Sequence, residues 1–175
     1  VRSYRDLCII ESHKFGLEHI VRSTAALFER QSIDHFITGV LHQLSALVSP
    51  QESAMFFQGH GLGLGLVTTA PTVVAGTGRF HGYVGKPVSH VVDNDVWQDI
   101  TAMLRTRAPV LRRNYNIFGI FRDEEVWAAV FMEGLGELAV WDQRLIELFC
   151  QNASVALEYH RLHHRQVALS QAFAR

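Results

Sequence analysis

The chain has 175 residues, which suits one domain with helical extensions, and such a length buries roughly 70% of its unfolded surface. Its 48% apolar and 19% charged content is globular. Sixteen basic residues against seventeen acidic ones exclude a global field that would draw in nucleic acid or an anionic membrane. Two cysteines, Cys8 and Cys150, form neither a disulfide nor a zinc framework. No apolar run reaches the roughly 20 residues of a membrane span, and no signal peptide opens the chain. A start at Val1 reads as a piece cut from a longer protein.

Residues 1–31 hold no proline and one glycine. Leu7, Ile10, Leu17, Val21 and Phe28 recur at helical steps, interrupted by Lys14 and Thr24, so one long amphipathic helix is predicted. Ser32 is a candidate N-cap for a second helix. Its buried face is Ile33, Phe36, Ile37, Val40, Leu41, Leu44 and Leu47, and Pro50 ends it. Short apolar runs follow: 53–58, then "LGLVTTA" and "TVVAGTGRF" split by Pro71, then "KPVSHVV" as a short strand. "DNDVWQDITAMLRTRAP" starts acidic and ends basic before a proline, as a helix with its dipole matched at both ends does. Strands over 115–121 and 126–133 read as a hairpin around the polar turn 122–125.

From Trp141 onward there is neither glycine nor proline. Leu145, Leu148, Asn152, Val155, Tyr159, Leu162, Gln166, Leu169 and Phe173 follow steps of three and four, the seam of a coiled coil. The order of elements predicts an α+β domain. An antiparallel sheet of about five or six strands carries the terminal helices on one face, with the middle helix and loops on the other.

"GHGLGLGLVTTAPTVVAGTGRF" (59–80) invites a nucleotide-loop reading, which its spacing opposes. A dinucleotide loop needs G-x-G-x-x-G between a strand and a helix, whereas these glycines run G-x-G-x-G-x-G into a β-like run. Gly-Lys-Ser/Thr is absent, so there is no P-loop either. The glycines read as a flexible link between strands. Catalytic motifs are also missing: no GxSxG, no HExxH, and Asp34-His35 is the reverse of an HD pair. His160, His163 and His164 share one helix face without a further ligand, so they read as a solvated or dimer-facing surface. No metal or cofactor is expected.

Arg79, after Thr77-Gly78, either meets an anionic ligand or caps local carbonyls and the acidic 93–95 turn; the structural role is favoured. Thr77, Arg79, His81, Tyr83, Trp97 and Phe118 form a candidate pocket between the sheet and the middle helix, with plain core as the alternative for its aromatics. The dimer-interface candidates are Leu145, Leu148, Asn152, Val155, Tyr159, Leu162, Leu169 and Phe173.

"RSYRDLCIIE", "TGRF" and "VFMEGLGEL…WDQRLIELFCQNASVALEYHRL" resemble a GAF-like sensor family. Its members sit in bacterial response regulators between a receiver domain and an HD-GYP-type cyclic-di-GMP phosphodiesterase. They often carry Asp-Asn where this chain has Glu158-Tyr159. The resemblance implies a GAF/PAS-type fold, a cytoplasmic location and a part in cyclic-di-GMP signalling. The cyclic-nucleotide GAF signature, a central bilin cysteine and the HD and GYP output motifs are all absent; "GYV" at 82–84 is not GYP. The expected organisation is a signalling helix over 1–31, a GAF-like domain over 32–158, and a coiled-coil linker over 159–175. The expected role is a non-catalytic, parallel homodimeric relay from an upstream receiver to a downstream phosphodiesterase, with no nucleic acid or membrane partner. The alternative is a GAF sensor whose unknown small ligand controls the output; an enzyme with an unrecognised site is the third reading.

Overall fold

The computed structural model describes residues 33–48, 54–58, 70–122, 125–134 and 136–173. The helix expected over 1–31, the glycine-rich stretch 59–69 and the tip of the hairpin lie outside the described residues. Helix α1 spans Ile33–Val48. Strands β1 (Ala54–Gln58) and β2 (Thr72–Gly76) follow, then short 3-10 turns at Gly78–Tyr83 and Val88–His90. Helix α2 covers Asn94–Thr106. Strands β3 (Val110–Leu111), β4 (Tyr115–Arg122) and β5 (Glu125–Glu133) lead to the long helix α3, Val140–Phe173. The five strands pair in the order β2-β1-β5-β4-β3, and every pairing is antiparallel.

Alternation along the strands sorts side chains between two cores. On β5, Ala128, Val130 and Met132 meet α1 and α3, while Ala129 and Phe131 meet α2 and the turns. The first core adds Phe36, Ile37, Val40, Leu41 and Leu44 of α1 to Ile146, Phe149, Ala153 and Leu157 of α3. The second is filled by Phe57, Val73, Phe80, Val88, Ile100, Met103 and Ile117. Phe80 and Phe131 meet edge to face at 5.7 Å. The sheet is thus covered on both faces, as the α+β reading requires.

Local departures have local causes. The stretch expected as one strand over 72–80 stops at Gly76, where any Cβ would strike the backbone of Phe80, and the chain turns in 3-10 geometry. "KPVSHVV" is not a strand but a 3-10 turn, joined to the sheet by the single bridge between Thr72 and Pro87. Its backbone still serves the outer edge of β2: Val73 donates to Lys86 at 3.0 Å and Gly85 to Val73 at 2.8 Å. That covers an edge that would otherwise invite pairing. β3, only two residues long, has no sequence signature. Helix α2 ends on Arg107 at φ 59°, whose N–H reaches Met103 O, a left-handed cap that usually takes glycine.

Candidate functional site

The predicted pocket under the middle helix does not form as one site. Tyr83 and Trp97 pack against the second core, which fills the space between sheet and α2 with aromatic and aliphatic side chains. Phe118 lies on the opposite face of the sheet, in the core beneath α1 and α3. The reason is strand parity: Ile117 faces α2, so its neighbour Phe118 must face the long helices. Phe118 is therefore corrected from pocket lining to first-core residue.

Arg79 is engaged. Its Nε donates to Glu133 Oε2 at 2.7 Å, and a second nitrogen donates to the other carboxylate oxygen. The guanidinium lies 4.3 Å over the Phe80 ring. The hydrogen bond to Glu133 raises its pKa further, outweighing partial burial, and the charge of Asp93 adds to the rise. The fork therefore ties the turn after β2 to the end of β5. A matching clamp sits across the sheet's other edge. Arg112 donates to both oxygens of Asp99, at 2.7 and 2.8 Å, and the Tyr115 hydroxyl donates to Asp99 Oδ2 at 2.7 Å. The Asp99 carboxyl is held below its ordinary range chiefly by Arg112, then by Tyr115.

Thr77 and His81 come together elsewhere, on the α1 side of the edge strand. A groove of about 680 Å³ runs there between α1 and β2. Leu41, Val74 and Ala75 line it along with Thr38, His42 and His81, and none of the described lining residues carries a fixed charge. A bulge makes this shape: Phe56 pairs with Ala75 and Phe57 with Val73, so Val74 is unpaired and β2 bends. The Thr77 hydroxyl is occupied at the head of β1, accepting from Ala54 N at 3.0 Å. Thr38 and His42 were not singled out as pocket residues; only the fold sets their helix beside β2.

A smaller cavity of about 280 Å³ opens by Phe118, Phe121 and Cys150 at the opposite edge. Burial pushes the Cys150 thiol up to about 12, so it stays protonated and poorly nucleophilic. Gly119 lies under the Phe121 ring, which would collide with any Cβ there. No group of three or more potential metal ligands occurs among the described residues.

The histidines of the last helix divide. His160 is buried against Phe36 of α1, with ring centroids 4.8 Å apart. This corrects its assignment to a solvated or dimer-facing surface. His163 is exposed and stacks on Tyr159. Leu145, a seam candidate, is also buried within the chain, whereas Leu148, Val155, Tyr159, Leu162 and Leu169 are exposed. The side chain of Phe173 lies outside the described residues.

These features define a GAF-fold domain, and solved structures support that class. The GAF domain of a phosphoenolpyruvate-protein phosphotransferase from Coxiella burnetii superposes with a TM-score of 0.70 at 11% identity, covering 87% of this chain and 98% of that one. The corresponding Acinetobacter domain gives 0.66 at 9% identity, covering 83% and 94%. The GAF domain of a putative sensor histidine kinase from Pseudomonas syringae pv. tomato gives 0.57 at 13%, covering 95% and 98%. Within that fold, the chain belongs to the family described as a domain of unknown function, DUF3369, whose model matches residues 1–166. It is also 29% identical over 161 residues to the 3'3'-cGAMP-specific phosphodiesterase 2 of Vibrio cholerae serotype O1, covering 90% of this chain but only 30% of that protein. Among the described residues, no helix is long and apolar enough to cross a membrane.

Proposed function

We propose that this domain is a non-catalytic, cytoplasmic regulatory module that relays a signal from an upstream receiver domain to a downstream HD-GYP-type phosphodiesterase acting on a cyclic dinucleotide. The resemblance in sequence points to cyclic-di-GMP; the Vibrio cholerae relative is named for 3'3'-cGAMP. The module works as a pair of chains, with residues 1–31 as the input helix and 159–175 as the output linker. The observation that carries this reading is α3. It packs on the sheet and α1 as far as His160, and every described side chain from Leu162 onward is exposed, so the helix leaves the core as a rod. A shift in the α1–α3 packing would travel along it as rotation or translation.

The test uses the full-length protein carrying this chain and its phosphodiesterase. Inserting four residues between His163 and His164 changes the helical phase, whereas inserting seven preserves it. The four-residue insertion is expected to change the hydrolysis rate by roughly five-fold or more, with the seven-residue insertion close to the parent. Equal rates in all three would refute the relay. The isolated chain is expected to hydrolyse neither cyclic-di-GMP nor 3'3'-cGAMP with Mn²⁺ or Fe²⁺, and turnover would refute the non-catalytic reading. The groove beside α1 favours a second reading, a small-ligand sensor. Its described lining has no lysine, arginine or carboxylate, so it lacks the fixed cationic side chains that the phosphates of a nucleotide need.

A further inference from the structure

The groove between α1 and β2 contains a short piece of open strand edge. Thr77 N donates to Ala54 O at 2.8 Å, so the main chain of Thr77 faces β1. Alternation then turns the N–H and C=O of its neighbour Gly76, opposite Met55, away from β1. At Val73 the outward groups are taken: its N–H donates to Lys86 O, and its C=O accepts from Gly85. Among the described residues no backbone bond from that covering segment reaches Gly76. The chain before Val84 is the 3-10 turn Gly78–Tyr83, which does not continue a strand ladder. Gly76, His81 and Val84 all line the groove, so the open pair lies on it. We propose that this groove binds a small, uncharged molecule through one carboxamide or lactam edge, which pairs with the N–H and C=O of Gly76 while its apolar body rests on Leu41, Val74 and Ala75.

The lining selects that chemistry. A primary carboxamide or a lactam presents one donor beside one acceptor, the complement of a residue at a strand edge. The described lining has no lysine or arginine to hold a carboxylate or phosphate, and no carboxylate to hold an amine. Its two histidines do not complete a metal site. Thr38 and His42, one turn apart on α1, and His81 on the opposite wall add hydrogen-bonding groups at the rim. A volume of about 680 Å³ is that of a small-molecule site.

The length of the open edge argues against a peptide. A strand added to a sheet bonds at every second residue. Here the next outward residue on one side, Val73, is already bonded, and on the other side Gly78 enters the 3-10 turn. One residue's pair is open, which suits one amide and not a strand. Occupancy would bear on α1, because Leu41 lines the groove and also packs in the first core with α3. The inference rests on the small-ligand reading of this groove and supplies its chemistry.

Benzamide is the probe, followed through the backbone amide signal of Gly76 by two-dimensional NMR on the unmodified chain. That signal is expected to shift with a dissociation constant of about 1 mM, ordinary for a ligand of about nine non-hydrogen atoms. N,N-dimethylbenzamide lacks the donor, and benzoate and benzylamine carry charges the lining does not match; each is expected to bind roughly ten-fold more weakly or worse. Val84→Trp, at an exposed position on the groove wall, is expected to weaken benzamide by roughly ten-fold or more with an unchanged circular dichroism spectrum. A Gly76 signal unmoved at about 20 mM benzamide would overturn the inference. If benzoate or benzylamine then shifted other groove residues, the amide edge alone would fall and a ligand site would remain; silence from every probe would overturn the small-ligand reading with it. A blocked Ala-Val-Ala-Val peptide that bound more tightly than benzamide would show that the edge takes a strand, and would overturn the small-molecule assignment.

Discussion

Gly39 stands in the interior of α1 between exposed Thr38 and buried Val40. Glycine there is costly, because it gives up more backbone freedom than any other residue when the helix forms. A Cβ built on Gly39 meets nothing within 4 Å among the described residues, so the helix itself supplies no steric reason for it. Gly39→Ala should therefore recover nearly the full helix-interior difference, about 0.8–1 kcal/mol. No cavity is filled and no contact is made, so no further term enters. For a chain of this size that raises the melting temperature by about 2–4 °C. Urea unfolding should show the same gain at an unchanged slope. A stability loss would refute the reasoning. It would mean that a segment outside the described residues, or another chain, approaches α1 closely enough at Gly39 to exclude a methyl group. Weakened self-association by sedimentation in the same variant would place that approach between copies.

Arg79→Ala should leave the fold intact and lower the melting temperature by less than about 4 °C, because an exposed ion pair contributes about 1 kcal/mol or less. A fall of more than about 8 °C by calorimetry would instead make the Arg79–Glu133 fork a core anchor. The carboxyl of Asp99 is held low in the folded chain, so its contribution is present above its unfolded value near 3.8 and is lost as pH falls through the lower folded value. Asp99→Asn should remove that part of the acid limb of the stability curve; an unchanged limb in a pH series of urea melts would show that the clamp with Arg112 and Tyr115 stabilises nothing.

Much of the chain was legible because its signals are local. Asp93 and Asp95 at one end of α2, with Arg105 and Pro109 at the other, bound that helix within a few residues. Alternating apolar residues over 115–121 and 126–133, around a charged turn, marked β4 and β5. The absence of glycine and proline after Trp141 let α3 run to Phe173. The heptad spacing from Leu148 to Leu169 was equally visible, and the packing leaves that row outside the core.

Other features turn on which surfaces meet, and local sequence does not encode that. Phe118 reads as an aromatic on an apolar strand whichever face it takes; parity against Ile117 and the positions of α1 and α3 send it to the first core. His160 reads as polar surface until α1 lays Phe36 against it. β3 is only two residues, and it exists because β4 offers an edge. The candidate pocket moved for the same reason. Thr77 and His81 lie on a groove whose other wall is Thr38 and His42, more than thirty residues away in the chain. Periodicity and capping are properties of a few neighbouring residues and survive in the sequence alone. A cavity is the gap between elements, and it takes shape only when helices, bulges and strand order are set against one another.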